Sequence, residues 1–148
     1  MQLAIFDLDN TLLEGDSDYL WGQHLIEQGA VQRDEFDARN RQFMRDYEAG
    51  ELDIEAFLQF ALRPLADHPE SRLMDWRDAF IERHIRPRIL PAACELVDDH
   101  RRRGHALMII TATNRFVTAP IAALFDIPVL LATEPERGPA GYTGRPAG

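Results

Sequence analysis

The run Leu3-Ala-Ile-Phe-Asp-Leu8 most constrains what this chain can fold into. It is short, almost wholly apolar, and carries an acid inside it. A continuous apolar run of this length predicts a strand buried on both faces, as in a parallel sheet, rather than one that alternates toward water. Asp9, Asn10 and Thr11 break the run at once, so two carboxylates, Asp7 and Asp9, fall at the strand's C-terminal end.

The next stretch has a different period. Between residue 16 and about residue 86, apolar side chains recur at helical spacing in four stripes: Leu20/Trp21/His24/Leu25, Phe36/Phe43/Met44/Tyr47, Ile54/Phe57/Leu58/Ala61/Leu62, and Leu73/Trp76/Phe80/Ile81/His84. Gly29, Gly50, Pro64 and Pro69 punctuate them, and Asp53 is placed to cap the third helix. From Pro87 the pattern alternates. It predicts a helix opened by Pro91 and closed by Gly104, a buried strand Ala106–Ile110 ending at Thr111, a helix from Thr118 to about Phe125, and a strand from Ile127 to Ala132. The Gly- and Pro-rich stretch from Glu134 to Gly148 reads as loop or turn. Strand, helix, strand, helix, strand implies an α/β Rossmann-like parallel sheet. The helical segment is then an insertion after the first strand. The expected division is a core of residues 1–14 and 87–148, with a helical cap at 15–86.

The ends of strands in open α/β sheets are where ligands bind. Two neighbouring carboxylates repel and call for a cation or a shared proton, and an all-oxygen site suits Mg²⁺. A carboxylate can also attack phosphorus while its neighbour moves a proton. Thr111 ends a second strand, where its hydroxyl and adjacent N–H groups can hold a phosphoryl oxygen. A plain Asp-Asn-Thr turn accounts for part of the pattern, but not for an acid within the apolar run. A calcium loop is a poor fit, because its sixth position would be Leu12 rather than Gly.

Composition narrows the field. With 25 acidic and 16 basic residues the formal net charge is −9, which argues against nucleic-acid partners and anionic membranes. All the basic residues are Arg. The single Cys94 allows no internal disulfide, and the five His show no ligand-like spacing, so structural zinc is not expected. No apolar run approaches membrane-spanning length and the N-terminus lacks a signal-peptide pattern, so the expected location is cytoplasmic.

Residues 4–13, AIFDLDNTLL, and residues 107–114, LMIITATN, resemble the first two motifs of the haloacid dehalogenase superfamily, in its phosphoserine-phosphatase-like branch. The stretch Leu130–Glu134 with Gly141–Gly144 is similar to the segment after the family's third strand. The resemblance implies a Mg²⁺-dependent phosphatase of small phosphorylated metabolites. In it Asp7 would be nucleophile and metal ligand, and Asp9 general acid/base and metal ligand. Thr11, Thr111 and Asn114 would contact the phosphoryl group, although helix capping explains Asn114 equally well. Asp16 would contact the substrate's amino group, although a helix N-terminus accounts for an acid there equally well. The cap would close over the site and exclude water. Apart from the resemblance, Arg39, Arg41 and Arg45 lie on one helix and could meet an anionic substrate, a solvated polar face being the plainer account.

Two departures stand out. The family's third motif supplies a Lys, which this chain lacks, and only Arg137 and Arg145 come after the third strand. The acids of its fourth motif have no counterpart here. The sheet is therefore expected to be incomplete, with a bare edge beside the first strand, and residues 1–148 are expected to be part of a longer chain. The alternatives are a non-catalytic fragment or phosphate-binding domain, and a phosphotransferase acting on an acceptor other than water. Oligomeric state is not legible in the sequence.

Overall fold

The computed structural model describes residues 1–147. Strand β1 (Leu3–Asp7) is followed by α1 (Ser17–Glu27), α2 (Arg33–Glu48), α3 (Ile54–Asp67) and α4 (Glu70–Phe80). Helix α4 runs on without a break into a π turn, Ile81–Ile85, and a 3₁₀ turn, Arg86–Arg88. Then come α5 (Pro91–Arg102), β2 (Ala106–Asn114), α6 (Arg115–Leu124), β3 (Val129–Thr133), β4 (Pro135–Gly138) and β5 (Gly141–Pro146).

The sheet is parallel, in the order β1-β2-β3. Leu3 pairs with Ala106, Ile5 with Met108 and Asp7 with Ile110, while Met108 and Ile110 pair with Val129 and Leu131. Paired residues in a sheet share a face. One face therefore carries Ala4, Phe6, Leu107, Ile109 and Leu130, all buried. Helices α5 and α6 cover it, because both crossovers step the same way across the sheet. The opposite face carries Leu3, Ile5, Ile110, Val129 and Leu131, each between 41% and 55% exposed. Strand β1 forms one edge of the sheet.

The inserted helices share the core of the sheet. Leu20, Trp21 and Leu25 of α1, Leu62 and Leu65 of α3, Leu73 and Phe80 of α4, and Ile81 and Ile85 of the π turn join one apolar cluster with Phe6, Ile109 and Val117. Helix α2 buries only Phe43 and packs on α3 through aromatic rings, with Phe36–Phe60 centroids 4.8 Å apart and Phe43–Phe57 5.4 Å. Met44 and Tyr47, expected on that buried stripe, are exposed. Asp53 caps α3 as expected, accepting the Ala56 N–H at 3.0 Å.

The structure corrects several expected boundaries. Strand β2 continues past Thr111 to Asn114, and α6 starts at Arg115, so Pro120 lies inside that helix. Pro64, expected to punctuate, lies inside α3. The expected loop after Glu134 contains an antiparallel hairpin, β4–β5, with Gly148 outside the described residues. The hairpin lies along α3. Gly144, at φ +86°, comes close enough that a Cβ there would meet the Ala66 Cβ at 3.4 Å. Among the described residues no helix is long and apolar enough to cross a membrane.

Candidate active site

The turn after β1 is anchored by its apolar residues. Leu8, Leu12 and Leu13 are buried, and the Leu8 carbonyl accepts the N–H groups of Thr11, Leu12 and Leu13 at 3.0–3.3 Å. Asn10 takes the left-handed conformation, φ 57°, which Asn tolerates better than most residues, and its N–H reaches the Gly15 carbonyl at 3.0 Å. With the leucines fixed inward, Asp7 and Thr11 remain exposed and Asp9 is half-buried.

Asp9 is the most tightly held of the predicted site residues. Its Oδ1 accepts the Ser17 backbone N–H at 2.8 Å, at the first turn of α1. Its Oδ2 accepts the Thr113 hydroxyl at 3.3 Å, and Thr113 in turn accepts the Ser17 hydroxyl at 3.0 Å. Burial pushes the Asp9 carboxyl above its ordinary value and the charge of Asp16 adds to that, while the bonds from Ser17 and Thr113 pull the other way. Asp7 is simpler: its Oδ1 accepts the Leu8 N–H at 2.9 Å.

Other predicted residues fall into place unequally. Thr111 is buried one residue beyond Ile110, the partner of Asp7 across the ladder, and its hydroxyl accepts the Thr113 N–H at 3.2 Å. Asn114 caps α6 through its Oδ1, which accepts the Val117 N–H at 3.2 Å. Asp16 caps α1, accepting the Tyr19 N–H at 3.0 Å. Arg45 donates to Gln42 at 2.7 Å on the same helix. A cavity of about 200 Å³ is lined by Asp9, Asp16, Asp18, Thr113 and Asn114 among others. A second space of about 750 Å³, between α1, α2 and α3, is lined by Asp16, Asp18, Asp37, Arg41, Arg45 and neighbours. The two share Asp16, Asp18 and Phe57. Asp7, Thr11 and Thr111 line neither.

Sequence reasoning missed Ser17 and Thr113. The only signal for Thr113 was its position two residues past Thr111, the strand period. Arg137 and Arg145, the cations considered in place of the family's Lys, are engaged in the hairpin. Arg137 pairs with Glu70 and lies 4.3 Å over the Tyr142 ring, and Arg145 pairs with Glu136. Among the described residues no arginine forms an ion pair with Asp7 or Asp9.

A parallel sheet with paired acids at the end of its first strand and a helical insertion directly after them defines a class, and the match bears this out. The chain belongs to the haloacid dehalogenase-like hydrolase family, which it matches over residues 4–148. It is 44% identical over 143 residues to a histidinol-phosphatase of Neisseria meningitidis serogroup C (strain 8013), covering 96% of this chain and 64% of that protein. It is 42% identical, with a TM-score of 0.92, to a protein of unknown function from Bordetella pertussis Tohama I, covering 99% of this chain and 66% of that one. A phosphoserine phosphatase solved as a phospho-aspartyl intermediate analogue shares the fold at 17% identity and a TM-score of 0.65, covering 99% of this chain and 63% of that one. The chain thus spans about two thirds of the length of these relatives.

Proposed function

We propose that the protein is a Mg²⁺-dependent phosphatase of a small phosphomonoester that carries a cationic amine, histidinol phosphate being the first substrate to try. The observation that carries this is Asp7 and Asp9 at the end of β1, with Asp9 held by Ser17 and Thr113 beside a cavity whose wall includes Asp16 and Asp18. Asp7 Oδ2 has no partner among the hydrogen bonds of the described residues, and oxygen donors of this kind fit Mg²⁺. Asp7 and the Asp9 backbone carbonyl would hold the ion, which neutralises charge on the phosphoryl oxygens.

An Asp7 carboxylate oxygen attacks phosphorus, and the bond from phosphorus to the substrate's ester oxygen breaks. Asp9, whose carboxyl is made less acidic by burial than a free one, gives its proton to that leaving oxygen. Asp9 then takes a proton from water as the water attacks the aspartyl-phosphate. Inorganic phosphate leaves and the Asp7 carboxylate is restored. Residues 15–86 act as a cap over this site, and their acids receive the amine. A cytoplasmic setting fits a chain with a single cysteine.

Phosphate release from histidinol phosphate with Mg²⁺ present, compared between wild type and Asp7→Asn, tests the mechanism. A loss of about 10³-fold or more is expected for the variant, and equal rates would overturn the nucleophile. A second reading rests on the absence, among the described residues, of any arginine paired with Asp7 or Asp9. In it the 148-residue polypeptide alone binds phosphate and Mg²⁺ without turnover. Calorimetry showing binding, with no phosphate released, would favour it.

A further inference from the structure

Helix α1 carries His24 and Glu27 one turn apart, about two turns beyond Ser17. The π turn that ends α4 carries His84 against them. One ligand atom from each of the three lies within 4.8 Å of the others, and the two imidazole rings meet edge to face with centroids 5.3 Å apart. We propose that His24, Glu27 and His84 form a second metal site, for a transition ion of the zinc class, which fastens α1 to the π turn.

Three observations carry it. His24 is fully buried, and its Nε2–H donates to the Trp76 carbonyl at 2.9 Å. That bond fixes the neutral tautomer with its lone pair on Nδ1, and Nδ1 has no partner. A backbone carbonyl holding one ring nitrogen while the other is free to coordinate is the outer-shell arrangement of metal-binding histidines. His84 Nε2 is likewise buried without a hydrogen-bond partner, 3.3 Å from Glu27 Oε1. His24 Nδ1 is thus left as a buried lone pair that the packing does not satisfy, and His84 Nε2 has only the Glu27 carboxylate beside it. Finally, π turns inside helices are rare and concentrate at functional sites, and this one carries His84.

The donor set selects the ion. Two imidazole nitrogens and one carboxylate suit zinc and its neighbours in the transition series, whereas Mg²⁺ prefers oxygen alone. Trp21 and Phe80 wall the site on its inner side, and the Glu27 side chain, 37% exposed, opens it to solvent. Water would complete four ligands. Arg83, 3.3 Å from the other Glu27 oxygen, balances the carboxylate. The site uses none of the groups assigned to phosphoryl transfer and stands independently of that proposal.

Zn²⁺ titration by calorimetry, in excess Mg²⁺, tests it. His24 is too deeply packed to replace safely, so the variants are Glu27→Gln and His84→Gln, each checked for folding by circular dichroism. Wild type should bind one equivalent with a rise in melting temperature, and each variant should bind at least about 100-fold more weakly. Co²⁺ should give visible d–d bands of a tetrahedral site in wild type and lose them in both variants. His100→Gln is the control, because His100 and His105 meet nitrogen to nitrogen at 2.8 Å and offer a rival histidine pair. It should leave binding unchanged. No binding by wild type, equal binding by Glu27→Gln and His84→Gln, or loss of binding in His100→Gln would each overturn the proposal.

Discussion

At the scale of single residues, the acids along the start of α1 divide between structure and recognition. Asp16 caps the helix and also lines both cavities. Asn caps as well as Asp but carries no charge. Asp16→Asn should therefore leave the melting temperature nearly unchanged while raising KM for an amine-bearing phosphomonoester about tenfold, the loss of one charge-assisted contact. KM for a phosphomonoester that lacks the amine should not move, and steady-state kinetics on the two substrates check this. Asp18 is pushed up to about 7, first by burial and then by the charges of Asp16 and Asp9. The unfolded chain loses this proton near 3.8 and the folded one only near 7. Asp18 thus contributes most to stability in acid, and that contribution is lost as pH rises through this window. Between about pH 4 and pH 8, the stability of Asp18→Asn relative to wild type should grow by on the order of 4 kcal/mol, measured by denaturant unfolding. A flat difference would place the Asp18 carboxylate in water.

At the scale of elements, the β4–β5 hairpin is the part that composition concealed. Its Gly and Pro content reads as loop, yet Gly144 is there to let β5 pass close to α3 at a backbone angle that L side chains avoid. Gly144→Ala should cost about 1–2 kcal/mol in a thermal or chemical melt, whereas Ala in an ordinary loop would be neutral. Helix α6 shows a related effect. Thr118 before Pro120 looks like a helix start, but Asn114 caps the helix a turn earlier and Pro120 is absorbed within it. The strand β2 lengthens accordingly, and that extension carries Thr113 to Asp9. The parallel strands, the four inserted helices and the Asp53 cap were legible in the sequence, because each rests on local periodicity or on one side chain bonding its own helix.

At the scale of the whole molecule, the two helices after the insertion, α5 and α6, lie on one face of the sheet. The other face presents Leu3, Ile5, Ile110, Val129 and Leu131 to solvent, beside the edge strand β1. Contiguous apolar surface of this kind binds apolar dyes and promotes association. The isolated 148-residue polypeptide should enhance ANS fluorescence in native buffer. Ile5→Lys should reduce that signal without lowering the melting temperature, since Ile5 is 55% exposed. No dye binding by wild type would show that the face is covered.

The sequence by itself determined that an acid ends an apolar parallel strand with a second acid just beyond it, and that helices interrupt an α/β core. These features arise from period, run length and turn chemistry, which act over a few residues. The expected burial of that strand on both faces is not met, since Leu3, Ile5 and Asp7 are exposed. Only the tertiary structure decided what touches those acids. Thr113 reaches Asp9 across 104 residues of chain, and His84 reaches His24 and Glu27 from the far end of the insertion. Their spacing in sequence carries no metal or catalytic signature, because packing of distant elements, not local geometry, sets those distances. The open face of the sheet belongs to the same class of fact, since which side the crossovers cover is a property of the assembled layers.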